Sequence, residues 1–175
     1  MIESVEQNGE SKMKTDEVQI VEANLDDLTH QRAVLEMVDA YSMDAMGDGK
    51  PLSKEARSLL LPGLRQHPTT LIFLALRGQE PVGIAVCFRG FSTFAARPLM
   101  NIHDLAVLAG NRGQGISRRL LAAVEEKARK MGCCKLTLEV LEKNQRARKV
   151  YEAAGFGKPV YQEEEGVTFF LSKRL

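Results

Sequence analysis

The chain has 175 residues, a length that fits one domain with a substantial hydrophobic core. Hydrophobic residues make up 44% and charged residues 27% of it, as in ordinary globular proteins, and no run reaches the roughly 18 apolar residues of a membrane span. The formal net charge of +1 gives no global field that would favour nucleic acid or an anionic membrane as a partner.

The three cysteines indicate a reduced, cytoplasmic protein. Their number is odd, and the adjacent Cys133 and Cys134 would point to opposite faces of a strand, which disfavours both a disulfide and a metal pair. The first residues lack the basic start and apolar run of a signal peptide. We expect residues 1–15 to form a flexible tail before a single domain over residues 16–175, and both Met1 and Met13 are open as the natural start.

The first half of the chain predicts a strand, two helices and a hairpin, in that order. Residues 17–21 alternate with the two-residue period of a strand. Asn24 and Asp26 offer N-caps for a first helix, with apolar positions at Leu28, Leu35, Val38 and Tyr41. A second helix is expected to begin at Ser53 and to end or break at Pro62. The apolar runs 71–76 and 82–88 predict a hairpin in a sheet that is covered on both faces.

The second half predicts a strand, a long helix, a strand, a helix and two final strands. After a loop around residues 97–98, the strand 101–108 leads through a glycine-rich turn into an amphipathic helix over residues 116–131. Its apolar stripe consists of Ile116, Leu120, Leu121, Val124 and Ala128. A strand over 135–141, a helix capped by Asn144, and strands around 159–162 and 167–171 follow. This order predicts a mixed α/β fold with helices on both faces of the sheet.

Residues 112–117 form a glycine-rich segment between a predicted strand and a predicted helix. The first turn of a helix has unpaired N–H groups and a partial positive charge, and both attract phosphate oxygens. Gly113 and Gly115 allow a sharp turn and a close approach of the backbone to a phosphate. The same glycines also fit a tight turn that binds nothing, so the segment alone leaves both interpretations open.

Two other phosphate-binding motifs are excluded by the residues around Gly115. A P-loop ends in Gly-Lys-Ser/Thr, whereas this segment continues with Ile116 and Ser117. The dinucleotide-binding fingerprint has a third glycine three residues after the second, where this chain has Arg118.

Two motifs occur in a fixed order within residues 101–156. The first is Arg-x-x-Gly-x-Ser over residues 112–117, and the second consists of Asn144, Ala147, Tyr151, Gly155 and Phe156. Together they resemble the GNAT (general N-acetyltransferase) superfamily, with its central Arg/Gln-x-x-Gly-x-Gly/Ala and its Asn-x-x-Ala-x-x-x-Tyr-x-x-x-Gly-Phe. Ser117 departs from the usual Gly or Ala, and the proline often found after the central strand is absent. Neither change removes a donor from the anion site.

The resemblance implies a single-domain GNAT fold with a mixed, mostly antiparallel sheet of six to seven strands and about four helices on both faces. It also implies acetyl-CoA as cosubstrate and no metal. The pantetheine arm would lie between strands 101–108 and 135–141, which splay apart in this fold. The residues implied in acetyl-CoA binding are Leu105, Ala106, Val107, Arg112, Gly113, Gln114, Gly115, Ile116, Ser117, Asn144 and Tyr151.

The implied reaction is direct attack of a neutral amine on the acetyl carbonyl, with coenzyme A leaving as a thiolate. Tyr151 stands at the family's general-acid position, where a phenol of pKa near 10 can protonate a thiol of pKa about 8.5; a core tyrosine is the alternative. His103 stands where many members have a glutamate base, and a histidine pKa near 6.5 suits that role. A histidine without a chemical role, a water chain, and Asp104 redirected by a β-bulge remain the alternatives.

The resemblance places the acceptor site at roughly residues 41–53 and implies a primary amine of a small molecule or peptide as acceptor. A non-catalytic sensor of acetyl-CoA, and an acetyltransferase of protein lysines or N-termini, are the alternatives. Neither nucleic acid nor a membrane is expected as a partner, and a homodimer is left open. The residues do not identify the acceptor.

Overall fold

The computed structural model describes residues 17–157 and Lys173, and residues 17–157 form one sheet with helices on both faces. The strands are β1 (Val18–Glu22), β2 (Thr70–Arg77), β3 (Glu80–Ser92), β4 (Arg97–Val107) and β5 (Leu136–Leu138). The helices are α1 (Leu28–Met43), α2 (Lys54–Gln66), α3 (Ile116–Lys130) and α4 (Gln145–Ala153), with a 3-10 turn over Ala109–Asn111.

The sheet is mixed and mostly antiparallel, as predicted. Its strands lie in the order β1-β2-β3-β4-β5, with antiparallel neighbours up to β4 and a parallel pairing of β4 with β5. The two further strands predicted around 159–162 and 167–171 lie outside the described residues, as does the predicted tail 1–15. Among the described residues, no helix is both long enough and apolar enough to cross a membrane.

The core has two layers, one on each face of the sheet. Helix α3 covers one face through the predicted stripe Ile116, Leu120, Leu121, Val124 and Ala128, all of which are buried. Helices α1 and α2 cover the other face, where Val34, Met37 and Leu64 pack against the hairpin of β2 and β3. The long amphipathic helix and the two-sided sheet were therefore predicted correctly.

The first two helices differ from their predictions. Leu28 is 78% exposed rather than a core position, because α1 packs through Ala33, Val34 and Met37. The side chain of Asp27, not that of Asn24 or Asp26, caps α1 by accepting from the N–H groups of Thr29 and His30. Helix α2 continues past Pro62 to Gln66, so the proline neither ends nor breaks it; it removes one backbone hydrogen bond.

The strands that form the site also differ in length from their predictions. Arg97 and Pro98 belong to β4, where they pair with Ser92 and Phe91 of β3, instead of forming a loop. The strand predicted over 135–141 is limited to Leu136–Leu138. Because β5 stops after three residues, most of β4 extends beyond it, and this difference in length shapes the site.

Candidate active site

A cleft of about 1070 Å³ opens where β4 and β5 part. The two strands pair only from Met100 to Ile102 of β4, and β4 then continues for five residues to Val107 without a partner in β5. The splay predicted between these strands is therefore present. The residues that line the cleft are Tyr41, Asp44, Met46, Leu105, Ala106, Val107, Asn111, Arg112, Gly113, Gln114, Gly115, Ile116, Ser117, Arg118, Asn144, Arg146, Ala147, Lys149, Val150, Tyr151 and Ala153.

The free edge of β4 presents backbone groups of alternate residues to this cleft. The N–H of Leu108 donates to the carbonyl of Val82 in β3 at 3.0 Å, so the backbone of residue 108 points toward β3. Since backbone groups alternate along a strand, those of Val107 and Leu105 point to the opposite edge. Both belong to the residues implied in acetyl-CoA binding, and they lie on the strand beside which the pantetheine arm is expected.

The loop 112–117 closes one end of the cleft and leads into α3. Gly113 and Gly115 have φ angles of +79° and +74°, a left-handed conformation that side chains disfavour. Gly115 is the N-cap of α3, so the unpaired N–H groups of the first helical turn face the loop. Arg77 of β2 donates to Gln114 Oε1 at 2.7 Å and fixes the loop from the side of the sheet. This geometry suits a phosphate.

Several cationic side chains line the cleft with this loop, but the charge of Arg112, the arginine of the motif, is offset by an acidic partner. Arg112 forms an ion pair with Asp44, and its Nε donates to the carbonyl of Val107 at 2.9 Å. Arg118, Arg146 and Lys149 also line the cleft and form no ion pair with a described residue. Arg146 and Lys149 were not predicted as site residues. Their spacing of three residues on the helix capped by Asn144 puts both on one helix face, and this could have indicated them from the sequence.

Helix α4 carries the second motif along the opposite side of the cleft. Asn144 caps the helix, because its side chain accepts from the N–H of Ala147 at 3.1 Å. Tyr151 lies seven residues, or about two helical turns, further on. It is half-buried and packs near Phe156, with 5.8 Å between ring centroids. Burial raises the pKa of the Tyr151 phenol to about 12, and the neighbouring Tyr41 adds to this effect. The phenol is therefore protonated at neutral pH.

Strand β4 has a β-bulge at His103, directly before Asp104. Val86 of β3 pairs with Asp104, and the next residue, Cys87, pairs with Ile102, so His103 is the extra residue. His103 is exposed, with its ring 5.6 Å from that of Phe88. Asp104 is half-buried; burial raises its pKa, and His103 opposes that shift. Neither residue lines the cleft described above, which leaves the choice of base open.

The end of α1 and the residues after it form a further wall of the cleft, which meets the loop 112–117, here called the phosphate loop, through the ion pair of Asp44 with Arg112. Tyr41, Asp44 and Met46 line the cleft there, within the region expected to bind the acceptor. Burial raises the pKa of Tyr41, and the carboxylates of Asp104 and Asp44 raise it further. Backbone and Arg112 hydrogen bonds lower the pKa of Asp44, which is ionised at neutral pH. We call Tyr41, Asp44 and Met46 the acceptor wall.

The structure thus brings both motifs together around one cleft. Every residue named in the acetyl-CoA prediction lines it, from Leu105 on β4 to Tyr151 on α4. His103 stands apart from this set at the bulge. Their roles in binding and catalysis remain predictions.

Comparison with known proteins identifies the family. The model described as "Acetyltransferase (GNAT) family" matches residues 35–156, which is more than half of the chain and contains both motifs. The chain belongs to this family. A relative from Bacillus subtilis, named uncharacterized N-acetyltransferase YycN, is 46% identical over 131 residues, which cover 73% of this chain and 76% of the relative. The chain is therefore an N-acetyltransferase-type, acetyl-transferring enzyme.

Solved structures of low sequence identity share this fold. A protein described as a probable acetyltransferase superposes with a TM-score of 0.72 at 23% identity, covering 89% of this chain and 99% of its own. The aminoglycoside acetyltransferase AAC(6')-Iy superposes with a TM-score of 0.70 at 19% identity, covering 91% and 99%. That structure is described as a complex with the bisubstrate analogue CoA-S-monomethyl-acetylneamine.

Proposed function

We propose that this enzyme transfers the acetyl group of acetyl-CoA to a primary amine of a small molecule or peptide by direct attack. The proposal rests on one observation: the phosphate loop, the free edge of β4 and Tyr151 line the same cleft. A cosubstrate with phosphates at one end, a linear amide-rich arm and a thioester at the other end requires this sequence of partners. Gly115, Val107 and Tyr151 supply these three kinds of partner, and all three line the cleft.

The first part of the proposed mechanism is binding. Backbone N–H groups of the loop and of the first turn of α3 bind the phosphates, while Arg118, Arg146 and Lys149 offset their charge. The outward backbone groups of Leu105 and the N–H of Val107 pair with the pantetheine arm as a neighbouring strand would, while the carbonyl of Val107 accepts from Arg112. Backbone N–H groups of this edge then stabilise negative charge that develops on the thioester oxygen.

The second part is protonation of the leaving thiolate by Tyr151. As the amine nitrogen bonds to the acetyl carbon and the carbon–sulfur bond breaks, the phenol donates its proton to the sulfur. A pKa of about 12 keeps the phenol protonated for this step. The same burial that raises this pKa disfavours a thiolate in the cleft, so the transfer remains feasible.

The third part is removal of a proton from the amine at the bulge of β4. His103 is the base in our proposal, and Asp104 or a chain of waters is the alternative. The bulge makes Asp104 a real alternative, because a regular strand would point neighbouring residues to opposite faces. The raised pKa of the half-buried Asp104 also brings it closer to the pKa that a base requires near neutrality.

An amine acceptor agrees with the charge of the acceptor wall. Asp44 is ionised there, and Asp104 lies close enough to affect the pKa of Tyr41. The fold neighbour AAC(6')-Iy is described with an acetylneamine analogue, which is an aminoglycoside derivative. Likeness of fold does not transfer that substrate, so we propose only the amine class.

The test is release of coenzyme A thiol from acetyl-CoA over a panel of small amines and lysine-containing peptides. We expect turnover with at least one primary amine, and acetylated product in amounts equal to the thiol released. If no amine gives turnover while coenzyme A still raises the melting temperature, the proposed transfer is wrong and the chain acts as a sensor of acetyl-CoA. Turnover confined to peptides would identify a protein acetyltransferase.

A further inference from the structure

Arg112 connects the two walls of the cleft. It is the first residue of the phosphate loop, and its Nη2 forms an ion pair with Oδ2 of Asp44 at the end of α1. Its Nε donates to the carbonyl of Val107 at 2.9 Å. The guanidinium is therefore held at two points, by the acceptor wall and by the end of β4.

Asp44 is itself fixed by the backbone around it. Its N–H donates to the carbonyl of Tyr41 at 3.0 Å, and its carbonyl accepts from the N–H of Gly47 at 2.9 Å. Oδ1 accepts from the N–H of Met46 at 2.9 Å, which leaves Oδ2 for Arg112. The side chain is 22% exposed, so the carboxylate is a partly buried anchor with both oxygens engaged.

The loop after Asp44 is packed against α1 and cannot easily follow a movement of Arg112. A Cβ at Gly47 would lie 2.3 Å from the carbonyl oxygen of Tyr41, so the backbone approaches the helix closely there. Ser42 Oγ donates to the carbonyl of Lys50 at 2.8 Å and closes the loop on itself. Asp44 is thus held by its own backbone contacts, and its Oδ2 accepts from Arg112.

The positioned guanidinium still has donors to offer. An arginine has five N–H groups, and Nε and Nη2 each make one hydrogen bond to a described residue. The two N–H groups of Nη1 make no hydrogen bond to a described residue, and the Arg112 side chain is 34% exposed at the cleft. Since Asp44 offsets the charge of Arg112, this arginine supplies directed donors more than net charge.

We propose that Asp44 is a positioning residue for acetyl transfer, acting through Arg112 to hold the guanidinium ready for the phosphates of the cosubstrate. This inference rests on the proposed function only in taking acetyl-CoA as the ligand of the loop. Without Asp44, Arg112 keeps its charge but loses one of its two supports. The side chain of Arg112 then gains rotamer freedom, and the loss of this freedom on binding weakens the affinity for the cosubstrate.

The test is a double-mutant cycle with coenzyme A binding as the readout, measured by titration calorimetry without turnover. We expect Asp44→Asn and Arg112→Gln each to raise the Kd by about tenfold, since each removes a charge-assisted hydrogen bond. In the Arg112→Gln background, Asp44→Asn should cause no further weakening, because the residue through which it acts is gone. Asp48→Asn is the matched control: it lies in the same loop, does not line the cleft, and should stay within about twofold.

The variant Asp44→Glu distinguishes a positioning role of the carboxylate from a loss of affinity that is caused by misfolding. It keeps the carboxylate, so coenzyme A affinity should recover to between those of the wild type and Asp44→Asn, with all melting temperatures above the assay temperature. The inference is overturned if Asp44→Asn stays within about twofold of the wild type, if it binds coenzyme A more tightly, or if the two substitutions are additive. A wild type that binds coenzyme A but acetylates no amine contradicts the proposed function alone, whereas one that binds no coenzyme A contradicts both.

Discussion

The two walls of the cleft are built in different ways. The loop 112–117 and the start of α3 offer backbone N–H groups, fixed by two glycines with positive φ. The acceptor wall offers side chains instead, including the carboxylate of Asp44. The first wall suits one invariant group, a phosphate, whereas the second can change its chemistry with a single substitution.

This difference explains why the donor is easier to infer than the acceptor. Backbone geometry follows from residues close together in the sequence, such as Gly113 and Gly115. The surroundings of the acceptor wall depend on residues that the fold brings together from distant segments: Asp44 after α1 and Asp104 at the bulge of β4 both raise the pKa of Tyr41. The predictions below test whether the two walls act as separately as this comparison suggests.

The largest effect is expected from Gly115→Val, which should weaken coenzyme A binding by more than about a hundredfold. A β-branched residue at φ +74° strains the turn, and its methyl groups occupy the space that a phosphate would approach. Calorimetry with coenzyme A measures the effect. Gly110→Ala is the control, because a Cβ at Gly110 meets no atom within 4 Å, and its affinity should match the wild type. Normal binding by Gly115→Val would contradict the phosphate site.

Tyr151→Phe should lower kcat by about a hundredfold or more while leaving coenzyme A affinity within about twofold, because only the proton donor is removed. The phenol pKa of about 12 means that the acid form is present across pH 6 to 10, so the shape of the pH profile in that range should not change. Tyr41→Phe, on the acceptor wall, is the matched variant and should lose less than about tenfold. Equal losses in both variants would remove Tyr151 from the acid role.

The base is tested by comparing His103→Ala with Asp104→Asn. We expect the variant that removes the base to lose about tenfold to a hundredfold in kcat/KM and to lose the acidic limb of the pH profile. His103→Ala is the variant predicted to do so. If Asp104→Asn shows these losses instead, Asp104 is the base and the bulge directs its carboxylate to the amine. If neither variant loses the acidic limb of the pH profile, the proton leaves through a chain of waters.

The smallest effect is a gain in stability from Asp104→Asn that depends on pH. Burial raises the folded-state pKa of Asp104 above its unfolded value, so the protonated side chain stabilises the folded state. This contribution is fully present only below the ordinary aspartate pKa of about 3.9. That contribution is lost as the pH rises through the raised folded pKa. The variant should therefore melt higher than the wild type at pH 7, with a difference that shrinks toward pH 4. A lower melting temperature at pH 7 would contradict the direction.

The parts of the fold that were predicted correctly are those with a strong local signal. Helix α3 was predicted to the residue at its start and within one residue at its end, and all five predicted core positions are buried. The cap by Asn144 also follows from short-range hydrogen bonding. In these elements the hydrophobic period and the capping residues indicate the same helix, and tertiary packing agrees with both.

The errors occur where packing decides. The rotation of α1 is set by contact with β3, so apolar spacing alone placed Leu28 in the core. The early end of β5 depends on the course of the chain around the cleft, which no local pattern records. The ion pair of Arg112 with Asp44 was not predicted, because it joins residues that are distant in sequence. For the candidate site, the residues predicted to bind acetyl-CoA all line the cleft, whereas the acceptor side was expected only as the region 41–53.

The most direct test of the account is to measure thiol release and acetylated amine in the same reaction, with wild type and Gly115→Val side by side. We predict equal amounts of free coenzyme A and acetylated amine with the wild type, and neither product above background with Gly115→Val. Thiol release without an acetylated amine, or full activity in Gly115→Val, would contradict amine acetylation from a cosubstrate bound on loop 112–117.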